Sequence, residues 1–178
     1  MATDNSNFEK KVLLRLDALQ QIDKDEINVL DCFAGYGLLW QEVKRRSDKT
    51  IKIVSIEKEK GKNPTALQGD NLKYLPTLDL SKFDIIDIDA YGVPTKQIEI
   101  ITLRQWHGIL IITAIESMMG NMPKELLFSV GIEDLYKENK AVFCSYFPQF
   151  LDNYLFQKGI KEKYGYFLGR KLYFYVNL

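Results

Sequence analysis

Histidine, cysteine and net charge are what this sequence has least of. It holds one histidine, His107, and two cysteines, Cys32 and Cys144, with no Cys-x-x-Cys pair. A zinc site built on Cys and His is thereby excluded. A histidine-based triad has only His107 to draw on. Lys+Arg and Asp+Glu each number 24, so the formal charge is zero. That disfavours a broad cationic surface gripping nucleic acid by charge alone, though a local basic patch stays open. No run of about 18 apolar residues is present, so no membrane span is expected. Residues 1–11 are polar and lack the apolar core of a signal peptide. The reading is of a cytoplasmic protein with reduced thiols. With 178 residues, 46% hydrophobic and 27% charged, the chain suits one globular domain and is short for two.

What is there is an alternation of strand and helix patterns. Phe8, Val12, Leu13, Leu16, Leu19 and Ile22 recur at helical spacing and predict one apolar helix face. Strands are expected at Ile27–Phe33, Ile51–Ile56, Thr65–Gln68, Phe83–Asp89 and His107–Ala114. Helices are expected at Leu38–Arg46, Asn71–Leu75 and residues 95–105, and only a stunted crossover fits Lys58–Pro64. Residues 1–6 read as a frayed start. Lys124–Lys158 is rich in helix patterns and aromatics, and Ile160–Phe167 with Lys171–Val176 reads as a terminal hairpin. The alternation implies an α/β fold, with a mostly parallel twisted sheet and helices on both faces. Three parts of one domain are expected: an N-terminal helix in 1–26, a cofactor-binding half in 27–115, and a helical insert with the hairpin in 116–178. Right-handed crossovers set the ends of the first four strands along one edge, where such sheets bind ligands.

Four groups of residues gather at that edge. Asp31-Cys32-Phe33-Ala34-Gly35-Tyr36-Gly37 is a strand end turning on two glycines into a helix. Glycine there lets a ligand lie against the main chain. The dinucleotide fingerprint Gly-x-Gly-x-x-Gly fails, because its third glycine is Trp40. Glu57 ends the next strand, 20 residues after Gly37, where an acid accepts hydrogen bonds from ribose hydroxyls; an ordinary exposed carboxylate is the plainer alternative. Asp70 follows Gly69, either as a helix cap or beside an adenine amine. Asp84, Asp87 and Asp89 alternate along the fourth strand and are expected to share one face. Acids in a central strand cost desolvation, which favours a functional explanation.

In this order, a glycine turn and three acidic strand ends resemble the Rossmann-like, class I S-adenosylmethionine-dependent methyltransferases. The resemblance covers residues 27–115 and the terminal hairpin, since that family ends with two strands, the last inserted antiparallel. The first group looks like motif I of nucleic-acid methyltransferases, Asp-x-Phe-Ala-Gly-x-Gly. The resemblance implies S-adenosylmethionine as cofactor. Gly35 and Gly37, with Phe33 in the same loop, would pass its methionine part, and Asp31 would lie beneath, near the amino group. Glu57 would take the ribose hydroxyls, and Asp70 would face the adenine amine with Asn71 beside it. Asp89-Ala90-Tyr91-Gly92 occupies the motif IV position and borders the cofactor. The longer string through Pro94 is similar to Asp-x-Asp-Pro-Phe-Gly-Ser-Pro of the tRNA guanine-N2 dimethyltransferases. Ala90 departs from its proline and Val93 from its serine, and that subfamily's large tRNA-binding domain has no room here.

The implied activity is methylation of an exocyclic amine on a nucleobase in RNA or DNA. Asp89 and the Ala90 carbonyl would accept the amine hydrogens, Tyr91 would stack on the base, and Asp87 would orient Asp89. No metal is needed. A small-molecule or protein methyltransferase is the second reading. A non-catalytic cofactor-binding subunit is the third, with the aromatics Phe143, Tyr146, Phe147, Phe150 and Tyr154 as an interface or, at their helical spacing, as core. A homo-oligomer or partner subunit is an expected route to substrate recognition.

Overall fold

Parity along the strands decides what each face of the sheet can bury. In β1 (Glu26–Asp31), β4 (Ile85–Asp89) and β5 (Ile109–Ile115), Leu30, Ile86, Ile88, Leu110 and Ile112 enter one buried cluster. Val29, Ile85, Ile109 and Ile111 point the other way into a second. Both faces are apolar, as a parallel sheet covered on both sides requires. The computed structural model describes residues 7–116 and 122–178. The expected frayed start lies outside the described residues.

The sheet has seven strands in the order β3-β2-β1-β4-β5-β7-β6. The first five run parallel, with β2 at Thr50–Glu57 and β3 at Leu67–Gln68. The hairpin β6 (Tyr164–Leu168) and β7 (Lys171–Asn177) closes the other side, with β7 antiparallel between β5 and β6. This is the expected fold class.

Helices α1 (Phe8–Gln20) and α2 (Leu38–Arg46) cover the face of Val29 and Ile85. The short α3 (Asn71–Tyr74) and then α4 (Thr95–Leu103), α5 (Lys124–Val130), α6 (Glu133–Glu138), α7 (Lys140–Cys144) and α8 (Phe147–Gln157) follow. Residues of α4, α5, α6 and α8 join the cluster of the opposite face. Phe147 and Tyr154 are buried there, Phe143 and Phe150 pack against it, and Tyr146 is half exposed. The aromatic stretch is therefore mainly core, and the Tyr154 hydroxyl donates to the Thr95 carbonyl at 2.9 Å.

Three expectations are corrected. Asp84 does not share the face of Asp87 and Asp89: an odd spacing separates it from both. It sits at the opposite sheet edge, accepting the Asn28 N–H at 2.9 Å and pairing with Lys24. The hairpin starts at Tyr164 rather than Ile160, because Gly159 at φ +83° ends α8 and Ile160 packs back onto the core. The buried face of α1 is rotated from the apolar one. Leu13 is 44% exposed, while Lys11 and Arg15 are buried beside Val12, Leu14, Ala18 and Leu19. The cause lies at the end of the neighbouring strands.

Candidate cofactor pocket at the strand switch

Between β1 and β4 the strand order reverses, which opens a crevice beyond their C-terminal ends. Asp31 and Asp87 are register partners across this point. They and Asp89 face α1 and α2, and this is where the buried cations go. Arg15 grips Asp87 through two bonds of 2.8 Å, Nε to Oδ2 and Nη2 to Oδ1. The Trp40 indole N–H adds a third at 2.7 Å to Oδ2. The Arg15 and Asp87 side chains are 0% and 1% exposed. Burial pulls the guanidinium pKa down, but the charges of Asp87 and Asp89 outweigh it and leave it raised.

One helical turn earlier, the Lys11 ammonium donates to both oxygens of Asp89 at 2.8 Å and lies 5.5 Å from the centre of the Tyr173 ring. Burial works to raise the Asp89 carboxyl, yet Arg15 and Lys11 prevail and hold it below its usual value. Asp31 has no such cation among the described residues. Its oxygen accepts the Phe33 N–H at 3.3 Å, and burial, then the charge of Asp87, push its carboxyl well above the usual range.

The glycine turn sits over these acids. Gly35 and Gly37 adopt φ of +54° and +76°, the left-handed region that disfavours a side chain. A Cβ on Gly35 would meet nothing within 4 Å, so that face of the loop is open. Glu57 fastens the turn from β2: its oxygens accept the Gly35 N–H and the Glu59 N–H, each at 2.7 Å. A carboxylate has about four lone-pair sites, so each oxygen keeps one for a hydroxyl.

A cavity of about 300 Å³ opens beside these parts, and Gly37, Glu57, Asp70 and Asn71 are not among its described lining residues. Asp31, Phe33, Gly35, Lys11 and Asp89 line it, with Phe8 and the first residues of α2 completing the wall. None of its described lining residues comes from Tyr136–Phe156, so the aromatic stretch does not roof it.

The other predicted residues divide. Asp70 caps α3, accepting the Leu72 N–H at 3.0 Å, and pairs with Lys58 at 3.0 Å. Those donors hold its carboxyl below the ordinary value. Asn71 is buried, giving its amide N–H to the Cys32 carbonyl and accepting from Gln97. It ties the end of β1 to α3 and α4. Ala90 is buried, and Tyr91 stands 80% exposed just past β4. Asp87 does not line the cavity; it acts through what it holds. His107 is exposed before β5, at the edge away from these residues, and cannot join them. Lys11 and Arg15 were missed by sequence reasoning. The available signal was two cations one helical turn apart, matching two acids spaced by two on a strand.

Comparison with protein-family models and with curated proteins gives no match. Solved structures do match. The plantazolicin methyltransferase BamL, solved with S-adenosylhomocysteine, aligns at TM-score 0.57 and 11% identity over 97% of this chain and 85% of its own. The mmp1179 protein of Methanococcus maripaludis, described as an S-adenosylmethionine-dependent methyltransferase, aligns at TM-score 0.54 and 10% identity, over 97% and 87% of the two chains. The PH0793 protein of Pyrococcus horikoshii aligns at TM-score 0.49 and 15% identity; 99% of this chain spans 63% of that one. The fold is thus that of the class I S-adenosylmethionine-dependent methyltransferases.

Proposed function

We propose that this chain is an S-adenosylmethionine-dependent methyltransferase whose acceptor is an exocyclic amine of a nucleobase in RNA or DNA. The observation that carries the cofactor part of the reading is Asp31, a buried acid without a cation partner among the described residues, lining a pocket under an open glycine turn; the acceptor rests on the resemblance of Asp89-Ala90-Tyr91-Gly92 to motif IV. An unpaired buried carboxylate is costly, and a bound ammonium removes that cost. The residues present fit the cofactor: Asp31 would hold its amino group, Gly35 and Gly37 would pass its chain, and Glu57 would accept its ribose hydroxyls. Asp70, its carboxylate shared with Lys58, would face the adenine amine, with Asn71 beside it.

When bound, the cofactor supplies a sulfonium methyl that an amine lone pair displaces, the carbon–sulfur pair returning to sulfur. The chain supplies position and electrostatics. Asp89 and the Ala90 carbonyl accept the hydrogens of the amine, which concentrates its lone pair on nitrogen. Asp87, fixed by Arg15 and Trp40, anchors the strand that carries Asp89. Exposed Tyr91 offers a planar base a stacking surface worth about 1–3 kcal/mol. In Lys44–Arg46, two of the basic residues are paired: Arg45 with Glu42, and Arg46 with Glu42 and Glu9. That stretch is therefore partly neutralised, and contact with a nucleic acid rests on the pocket rim or a partner subunit.

The Lys11 pair on Asp89 favours a second reading, a non-catalytic cofactor-binding subunit. Transfer of a tritiated methyl group to total RNA, DNA, protein and metabolite fractions separates the two. Label is expected in a nucleic-acid fraction and absent for Asp89→Ala, which still binds the cofactor. Cofactor binding without label in any fraction would establish the second reading.

A further inference from the structure

The same lysine suggests more than a block. Asp89 is the acid assigned to the acceptor amine, yet Lys11 donates to both its oxygens, which leaves one lone-pair site on each but spends the carboxylate's charge on the lysine. Two acids, Asp31 and Asp89, and one cation, Lys11, line the pocket, with the Arg15–Asp87 pair buried behind them. Arg15 cannot leave, being locked to Asp87 and to the Lys11 carbonyl. The Lys11 ammonium is a point charge on a flexible stem with three rotatable donors. It is the only cation among the described residues lining the pocket.

An amino-acid head group brings an ammonium, which Asp31 suits, and a carboxylate, which needs donors. The glycine turn has few to give. The Gly35 N–H is spent on Glu57 and the Gly37 N–H on the Ala34 carbonyl, each at 2.7 Å. Leu38 and Leu39, the first residues of α2, also line the pocket. They bring the positive end of that helix to the same space, which favours an anion there.

We infer that Lys11 is a two-position cation: it closes Asp89 in the cofactor-free protein and moves to the cofactor's α-carboxylate on binding, leaving Asp89 open to the amine. This rests on the cofactor reading above. It makes Lys11 a positioning residue and imposes an order, cofactor first and acceptor second.

The test is calorimetry with two probes, S-adenosylhomocysteine and 5′-methylthioadenosine, which lacks the amino-acid head. Lys11→Met is expected to weaken the first by roughly tenfold to a hundredfold and the second by less than about twofold, as loss of a charge-assisted contact requires. Equal effects on both probes, or none on either, would overturn the inference and leave the cofactor reading standing. Binding of neither probe by the wild type would remove the cofactor reading itself. A second measurement needs no variant. The Asp89 carboxyl, facing Lys11, Arg15 and Asp87, is titrated by carbon-13 NMR in the wild type. Its pKa should rise on adding S-adenosylhomocysteine and stay in place with methylthioadenosine. An unmoved Asp89 with the homocysteine probe bound contradicts the exchange.

Discussion

At the scale of single residues, the crevice is a cluster of charges whose pairing is incomplete among the described residues; burial raises the carboxyls of both Asp31 and Asp87, neighbours across β1 and β4, but their partners differ. Asp87 has every oxygen committed, to Arg15 and Trp40. Removing one partner of such a buried pair strands the other charge. Arg15→Ala should therefore lose about 3–5 kcal/mol of stability in denaturant unfolding. The double variant Arg15→Met with Asp87→Leu should recover most of that loss. A loss below about 1 kcal/mol in Arg15→Ala, the scale of an exposed pair, would show that water reaches Asp87. Asp31 has no cation partner among the described residues, and burial and the charge of Asp87 raise its carboxyl well above the usual range. The folded protein then keeps a proton that the unfolded chain has released, from about pH 4 up to the raised value, and stability falls as pH climbs through that window. Asp31→Asn should melt higher than wild type at neutral pH, with the difference closing below about pH 4. An Asn variant less stable than wild type at pH 7 would mean that Asp31 has a partner in the free protein.

At the scale of elements, the strands and the glycine turn were legible because their determinants are local. A strand of β-branched residues, two glycines and a helix of known periodicity need no distant information. The hairpin shows the same locality, with one tight point. A Cβ on Gly165 would collide with the Tyr173 carbonyl oxygen, inside the β6–β7 pairing. Gly165→Ala should detach β6 while sparing the parallel strands, read as lost amide protection in Tyr164–Leu168 alone. Protection retained there would show that β6 shifts to make room. The face of α1 was not legible, and the reason is physical. Periodicity assumes that the helix buries its apolar stripe, but α1 packs beside Asp87 and Asp89. Compensating two buried carboxylates is worth more than hiding Leu13, so Lys11 and Arg15 turn inward. Trp40 shows the same limit. In the sequence it only breaks a dinucleotide fingerprint; in the fold its indole N–H satisfies Asp87.

At the scale of the whole molecule, strand order decides where chemistry can happen. The chain places its glycine turn, Asp31 and Asp89 around one crevice because β1 and β4 are neighbours in space and far apart in sequence. The acids' positions were readable from strand ends. Their partners were not, since α1 reaches them over more than 70 residues of chain. The cap that Asp70 places on α3 was readable from its position after Gly69, but the bond by which Asn71 ties α3 to the end of β1 emerges only when the two dock. On the function proposed above, the crevice at this switch receives a cationic amino group, with Asp31 as its counter-charge. Calorimetric titration of S-adenosylmethionine into the wild type and into Asp31→Asn tests it most directly. One equivalent should bind the wild type, and the variant, though the more stable protein, should bind more weakly by roughly tenfold or more. No binding by the wild type, or an unchanged dissociation constant in Asp31→Asn, would contradict the claim.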